Sequence, residues 1–172
     1  AGDCVPVAAC PETTVFTGDV VIAKAEDFAA LACVHEIRGD LDVFGLEIKN
    51  LTRLARLERV RGSIRITTNP GLTDLSGLCS LAAVDTRMDG TGGDLGIDGN
   101  STLTDLNGLA RLEHVAGKLS IRDNPALVRF NGGIILPQYG DENDALAVQQ
   151  VQAMFPDRRV VGVQTREVAF GG

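Results

Sequence analysis

The chain has 172 residues, of which 44% are hydrophobic and 23% charged, so it is long enough for one domain with a buried core. Its formal net charge of −7 argues against a surface for nucleic acids or anionic membranes. No apolar run approaches the ~18 residues that a membrane span requires. With 4% aromatic residues and no Trp, the core must consist of Leu, Val, Ile and Ala.

Three of the four cysteines lie within the first 33 residues, at Cys4, Cys10 and Cys33, and the fourth is Cys79. Their spacing matches neither a CxxC pair nor a zinc finger. The clustering predicts a disulfide-stapled N-terminal end and an oxidising compartment, so the protein is expected to be secreted, periplasmic or on the cell surface. Buried free thiols are the alternative. No signal peptide is recognised, and the opening residues Ala1 to Cys4 are expected to be either a mature end exposed by processing or an end set by design of the expressed chain.

A glycine followed by alternating apolar residues, Gly-x-φ-x-φ, occurs five times. The copies are Gly18–Ile22, Gly39–Val43, Gly62–Ile66, Gly93–Ile97 and Gly117–Ile121. The glycines are 21, 23, 31 and 24 residues apart, and the longest spacing fits a 24-residue unit with a seven-residue insertion within residues 85–92. One such unit cannot cover its own apolar face, so successive units are predicted to stack around a continuous core.

Asparagine recurs at one position of the repeat, seven residues after the glycine, as Asn69, Asn100 and Asn124. At the end of a strand, an amide side chain can satisfy backbone groups that a turn leaves unpaired inside the core. The three residues are therefore predicted to form a structural ladder, with ordinary turn asparagines as the alternative. The predicted fold class is mostly β with short helices: a right-handed parallel β-solenoid with a C-terminal β-α-β segment.

The pattern Leu-x-Ile-x-x-Asn-x-x-Leu resembles the leucine-rich repeat. The preceding glycine and the 21–24-residue rhythm resemble the receptor L domains of growth-factor and insulin receptors and their bacterial relatives, over about residues 10–130. The segment from Cys33 to Leu41 resembles the first repeat of that family, whose cysteine pairs with one near the N-terminus. The resemblance implies a Cys10–Cys33 disulfide worth ~3 kcal/mol, with Cys4 as the competing partner. The sequence departs from the pattern at Leu46, where an asparagine is expected.

The repeat stops after Leu127, which divides the chain into a solenoid with a disulfide-stapled cap (residues 1–130) and a second segment (residues 131–172). A strand at Asn131–Pro137, an amphipathic helix at Asp141–Phe155 and a strand at Arg159–Val163 are predicted there. The helical period places five residues near one face of this helix: Ala145, Val148, Val151, Gln152 and Phe155. The segment either caps the open end of the solenoid or is a recombination product.

The stretches Asn131–Asp144, Phe155–Val163 and Arg166–Gly172 resemble the late region of agmatine deiminase. That family has an α/β-propeller fold and hydrolyses a guanidinium group with a cysteine nucleophile. In the family, the glycine-rich stretch continues into a His-Cys pair, and this sequence stops at Gly172, before that pair. No catalytic residue is carried over, His35 and His114 are expected at the surface, and the chain is predicted not to be an enzyme.

The outward positions of the Gly-led strands are the predicted ligand-binding surface, on which a basic ligand fits the acidic side chains and a solvated sheet face is the alternative. The candidate residues are Asp40, Asp42, Phe44, Arg65, Asp94 and Asp98. No cofactor and no metal site are predicted. The predicted function is a non-catalytic extracytoplasmic recognition or scaffold module for a protein, peptide or glycan. The alternative is an inactive fragment or fusion remnant of an agmatine deiminase-like guanidine hydrolase.

Overall fold

The structure is a computed structural model that describes residues 10, 14–127, 133–138, 140, 142–154, 159–164 and 167–171. Its strands in chain order are β1 (Thr14–Thr17), β2 (Val20–Ile22), β3 (Val34–Arg38), β4 (Leu41–Phe44), β5 (Arg59–Arg61), β6 (Ile64–Thr67), β7 (Ala83–Asp85), β8 (Leu95–Asp98), β9 (His114–Val115), β10 (Lys118–Arg122), β11 (Gly133–Gln138), β12 (Arg159–Gln164) and β13 (Glu167–Gly171). One α-helix, α1, spans Asp144–Met154. Short 3-10 helices lie at Ala25–Leu31, Thr52–Leu54, Ser76–Leu78 and Asn107–Leu109.

The strands form two parallel sheets. The seven-stranded sheet has the order β1-β3-β5-β7-β9-β12-β11, and the six-stranded sheet has the order β13-β10-β8-β6-β4-β2. Up to β10, odd-numbered strands therefore lie in the seven-stranded sheet and even-numbered strands in the six-stranded sheet. A 3-10 helix lies in each connection from an even-numbered strand to the next odd-numbered strand. Each repeat contributes one strand to each sheet. The two strands meet at a tight corner at the repeat glycine, except that a seven-residue loop precedes Gly93 between β7 and β8.

The predicted single right-handed β-solenoid of receptor-L-domain type is wrong: the described residues form two parallel sheets. The Gly-led segments account for only five strands of the six-stranded sheet, namely β2, β4, β6, β8 and β10. The residues before each glycine form a second strand, such as β3 before Gly39 and β5 before Gly62. These strands are as short as two residues, as in β9, which is too short for the alternation of buried and exposed side chains to show in the sequence.

The core lies between the two sheets and the 3-10 helices and is almost entirely aliphatic. Inward-facing residues of neighbouring strands are in register, as in the row Leu41, Ile64, Leu95 and Leu119. Those four side chains are fully buried, as are Leu72, Leu75, Leu78 and Leu81 of one connecting segment. Each repeat thus covers the apolar face of the next, because the alternation within a strand sends every second side chain inward.

Asn69, Asn100 and Asn124 form a row along the turns that follow strands β6, β8 and β10 of the six-stranded sheet. The backbone N–H of Leu46 donates to Asn69 Oδ1 (3.1 Å), that of Asn69 to Asn100 Oδ1 (3.1 Å) and that of Asn100 to Asn124 Oδ1 (2.9 Å). The side-chain amide of Asn100 donates to Ile66 O (2.9 Å) and to Asn124 Oδ1 (3.2 Å). Asn69 and Asn100 are fully buried, so these bonds satisfy backbone groups that water cannot reach.

One position in this turn adopts a positive φ in four successive repeats, at Gly45, Thr68, Gly99 and Asp123. Thr68 has φ 54°, where a β-branched side chain is strained. Thr68→Gly is therefore expected to raise the free energy of unfolding by about 1 kcal/mol. Urea unfolding measures this, with Gly99→Thr as the converse variant, which should lower it. A loss of stability in Thr68→Gly would contradict the argument.

The structure contains a disulfide between Cys10 and Cys33, whose Cα atoms are 5.6 Å apart. It ties the start of the described chain to the residue just before β3. Cys79 is disulfide-bonded as well. Among the residues that the structure describes, no cysteine is free.

The C-terminal segment joins both sheets. Strand β12 pairs with β11 along six residues and with β9 through Gln164 and His114. Strand β13, which the sequence did not predict, pairs with β10 over five residues. Predicted helix ends at Asp141 and Phe155, and the predicted strand start at residues 131–132, lie outside the described residues. In α1, Val148, Val151 and Gln152 are half-buried but Ala145 is exposed.

Candidate functional site

The structure brings three of the predicted ligand-binding residues together on the outer face of the six-stranded sheet. Arg65 of β6 lies beside Asp42 of β4 in register. Its guanidinium donates to Asp42 Oδ1 (2.8 Å) and to Asp40 Oδ2 (3.2 Å). The hydrogen bond to Asp42 is the largest of the effects that raise the pKa of Arg65 above its ordinary value. One guanidinium thus pairs with two carboxylates, so these residues form an ion-pair cluster and not an open acidic patch.

Asp40 also holds the loop that follows β7. Arg87 lies 3.1 Å from Asp40 Oδ1 and forms a further ion pair with Asp19. Burial alone would raise the pKa of Asp40, but the hydrogen bond from Ser63 N–H and those from Arg87 and Arg65 outweigh it, so the pKa lies below its ordinary value. Asp40 is thus ionised across the neutral range.

The aspartates after the repeat glycines have a structural role that the sequence reasoning missed. Backbone N–H groups of the next repeat donate to them: Asp40 N–H to Asp19 Oδ1 (2.9 Å), Ser63 N–H to Asp40 Oδ1 (2.8 Å) and Lys118 N–H to Asp94 Oδ1 (2.8 Å). The remaining step is Asp94 N–H to Ser63 Oγ (3.3 Å). The signal was present in the recurring Gly-Asp pairs at residues 18–19, 39–40 and 93–94.

The other two candidates lie toward the far ends of their strands. Phe44 is 43% exposed and stands in register with Thr67 of β6, which is in turn beside Asp98 of β8. Asp98 Oδ1 accepts a hydrogen bond from the Ser120 hydroxyl (3.3 Å). The five charged candidates all have partners within the chain: Asp40, Asp42, Arg65, Asp94 and Asp98. A ligand-binding role for the six candidate residues stays a prediction.

Asp40→Asn is expected to lower the free energy of unfolding at neutral pH by about 1 kcal/mol, a modest value because the ion pairs are partly exposed. The folded pKa is depressed, so the carboxylate stabilises the fold above its unfolded pKa, and this contribution is lost as the pH falls through the folded pKa. As the pH falls below about 4, the free energy of unfolding should therefore decrease less in the variant than in the wild type.

Urea unfolding at neutral and acid pH tests this, with Glu47→Gln, an exposed acid elsewhere on the surface, as the control. Equal pH dependence in wild type and Asp40→Asn would contradict the assignment.

A second charged group lies on the outer face of the seven-stranded sheet. Glu36 Oε1 accepts hydrogen bonds from Arg38 (2.7 Å) and Arg61 (3.0 Å), and the first of these is the main cause of its lowered pKa. Asp85 pairs with Arg59 and lies 3.4 Å from His114 Nε2. The Glu36–Arg38 pair lies within β3, whereas the other pairs link neighbouring strands across the sheet.

The two histidines differ in environment. The side chain of His114 is 43% exposed. His35 is half-buried, and its Nδ1 is buried with no hydrogen-bond partner among the described residues. In the part of the chain that the structure describes, no group of three or more His, Cys, Asp or Glu side chains is arranged to hold a metal ion. None of the described helices has the length and apolarity to span a membrane.

The C-terminal segment is held together by contacts around the start of α1. The N–H of Gly140 donates to Asp144 Oδ2 (2.8 Å), and Gln138 Nε2 lies 3.3 Å from Asp144 O. At the other end, Val160 N–H donates to Gln152 Oε1 (3.0 Å), which ties α1 to β12. Val163 of β12 is fully buried and belongs to the core of the repeats.

Residues 126–172, about a quarter of the chain, match the family of Porphyromonas-type peptidyl-arginine deiminases. A Streptococcus mutans protein named as an agmatine deiminase is 64% identical over 56 residues, which are 33% of this chain and 15% of the relative. A Lactococcus lactis protein of the same name is 71% identical over 42 residues, which are 24% of this chain and 12% of the relative. The chain therefore spans about an eighth of the length of these relatives. No solved structure matches it significantly.

These matches correct several sequence-based predictions. The similarity found is to deiminases, so recognition of the chain as a receptor L domain or leucine-rich repeat protein is wrong. The prediction of a non-catalytic recognition or scaffold module is wrong as well, because the relatives are named for an enzymatic activity. For the same reason the prediction that the chain is not an enzyme is overturned. The resemblance of the C-terminal segment to agmatine deiminase is confirmed.

Proposed function

We propose that this chain takes part in the hydrolysis of a guanidinium group, with agmatine as the substrate and residues 126–172 as part of the catalytic unit. The observation that carries the proposal is the 64% identity over 56 residues to a protein named as an agmatine deiminase. The negative charge of the chain, −7, favours encounter with such a cationic substrate.

The proposed reaction replaces one nitrogen of the guanidinium by oxygen. A nucleophile adds to the guanidinium carbon, ammonia leaves, and water then releases the ureido product. This chemistry requires a thiolate and a group that moves protons. The described cysteines Cys10, Cys33 and Cys79 are all in disulfides. The role proposed for the described residues of the C-terminal segment is therefore to hold that segment in its shape.

This structural role is seen at the turn between β11 and α1. Asp144 accepts the N–H of Gly140, which closes the turn at the carboxyl end of β11. In parallel sheets with helical connections, that end is where substrate-binding loops gather. Glu142, exposed in the same turn, adds a second carboxylate that a cationic substrate would meet.

The test is the binding of agmatine to the purified chain, measured by isothermal titration calorimetry, because the described cysteines are in disulfides and supply no thiolate for turnover. Asp144→Asn should weaken agmatine binding at least about tenfold by loosening the β11–α1 turn. The matched control is Asp123→Asn, the same change at an exposed position of the repeats, which should leave agmatine binding unchanged. Binding no tighter than that of the heat-denatured chain, or equal losses in both variants, would reject the proposal.

We also propose that the protein resides in an oxidising compartment outside the cytoplasm. The Cys10–Cys33 disulfide and the bonded Cys79 support this location. A protein, peptide or glycan partner has no support beyond the exposed sheet face.

A further inference from the structure

The seven-residue insertion between β7 and Gly93 is an ordered loop that folds back on the repeats. Arg87 N–H donates to Thr91 O (2.8 Å), and Gly90 N–H donates to Arg87 O (2.9 Å). Thr91 also donates through its N–H (2.8 Å) and its hydroxyl (2.6 Å) to Asp89 Oδ1. With the ion pairs of Arg87 to Asp19 and Asp40, these bonds give the loop a defined shape.

Met88 projects from this loop and is 96% exposed. The chain has only one other methionine, Met154 at the end of α1, which is 70% exposed. No methionine belongs to the core cluster of the described residues, which consists of Leu, Val, Ile and Phe. Both thioethers are therefore presented to solvent, although methionine is ordinarily a residue of buried or interface positions.

The charged side chains next to Met88, those of Arg87 and Asp89, form their contacts with other residues. The guanidinium of Arg87 reaches to Asp19 and Asp40, and the carboxylate of Asp89 accepts both donors of Thr91. Neither charged side chain therefore covers the thioether. Among the described residues the cysteine sulfurs do not compete for an oxidant, because Cys10, Cys33 and Cys79 are in disulfides.

We propose that Met88 is a site of reversible oxidation by hydrogen peroxide. The thioether sulfur attacks one peroxide oxygen, so an S–O bond forms as the O–O bond breaks. The leaving hydroxide takes up the proton from the transferred oxygen and departs as water. Sulfur is oxidised to the sulfoxide and the peroxide is reduced. A methionine sulfoxide reductase reverses the change: two thiols supply two electrons and become a disulfide, and the sulfoxide oxygen leaves as water.

Oxidation at Met88 leaves the fold intact for a structural reason. The added oxygen enters solvent at the tip of the loop, whereas a sulfoxide in an apolar core would be an unpaired buried polar group. The hydrogen bonds that shape the loop use the backbone of Arg87, Gly90 and Thr91 and the side chains of Asp89 and Thr91, none of which involves the Met88 sulfur. The modification thus changes the surface chemistry of the loop without changing its position.

Exposure of the full chain and of the variants Met88→Leu and Met154→Leu to hydrogen peroxide tests the proposal. Peptide mass mapping over time should find one added oxygen on Met88 in wild type and Met154→Leu, at a rate at least equal to that of Met154 in Met88→Leu. The oxidised Met154→Leu protein should keep its Tm within about 2 °C. Treatment with methionine sulfoxide reductase should remove the added oxygen.

Three outcomes would overturn it: Met88 unmodified when free methionine in the same solution is fully converted, Met88 oxidised more slowly than Met154, or a collapse of the Tm in oxidised Met154→Leu. Since Met88→Leu and Met154→Leu change surface residues only, both should fold.

Discussion

Replacing Gly108 by alanine is expected to lower the free energy of unfolding by about 3 kcal/mol, because the new methyl group meets backbone that cannot move aside. A Cβ at Gly108 would lie 1.6 Å from Leu75 O, and one at Gly77 would lie 1.7 Å from Leu51 O. Both glycines lie in 3-10 helices that stack on the preceding repeat. The clash can be relieved only by separating two repeats, which opens the leucine core between them.

Gly96→Ala is the matched control for this prediction. A Cβ there would meet Asp98 Oδ2 at 3.4 Å and Ile64 O at 3.9 Å, which are ordinary contacts. Urea or thermal unfolding of the three variants should therefore show large losses for Gly77→Ala and Gly108→Ala and a change within about 0.5 kcal/mol for Gly96→Ala. Similar stabilities for all three would mean that the repeats are spaced more widely than the structure has them.

Asn100→Ala is expected to cost about 3 kcal/mol, because it leaves several buried groups without partners at once. Asn100 Oδ1 accepts the backbone N–H of Asn69 (3.1 Å) and its side-chain amide (3.0 Å). Its own amide satisfies Ile66 O. Asn69 is fully buried, so no water replaces the lost acceptor.

The control for Asn100→Ala is Asn107→Ala, an exposed asparagine at the start of a 3-10 helix whose side chain is not part of the row. Chemical denaturation of both variants should give a large loss for Asn100→Ala and a change within about 0.5 kcal/mol for Asn107→Ala. A loss confined to that smaller range in Asn100→Ala would show that the row does not support the turn.

The repeat period could be predicted from the sequence because the same residue types recur at the same position of each unit. Asn69, Asn100 and Asn124 follow their glycines at the same distance, and the structure has them hydrogen-bonded in a row. The second sheet was not readable. Strands such as β5 and β7 have three residues each, and only their parallel pairing with neighbours over twenty residues away makes them strands. Nonlocal pairing leaves little trace in a segment that short.

The candidate site was predictable in position but not in chemistry. Alternation along each strand correctly placed Asp42 and Arg65 side by side on one face. It could not show that Arg65 would be shared between Asp40 and Asp42, or that Arg87 would return from a loop to Asp19, which is 68 residues away in the chain. Those partners depend on side-chain reach and on the path of an insertion, which periodicity does not encode.

The two polar rows at the corners of the repeats run in opposite directions. Each asparagine accepts a backbone N–H from the repeat before it, whereas Asp19, Asp40 and Asp94 accept from the repeat after. The two repeats led by Gly62 and Gly93 consequently offer their neighbours on either side a matching donor at one corner and a matching acceptor at the other. Either of these units could then be duplicated or deleted and the newly adjacent units would meet with all these groups paired, so this part of the array can change length in evolution one unit at a time.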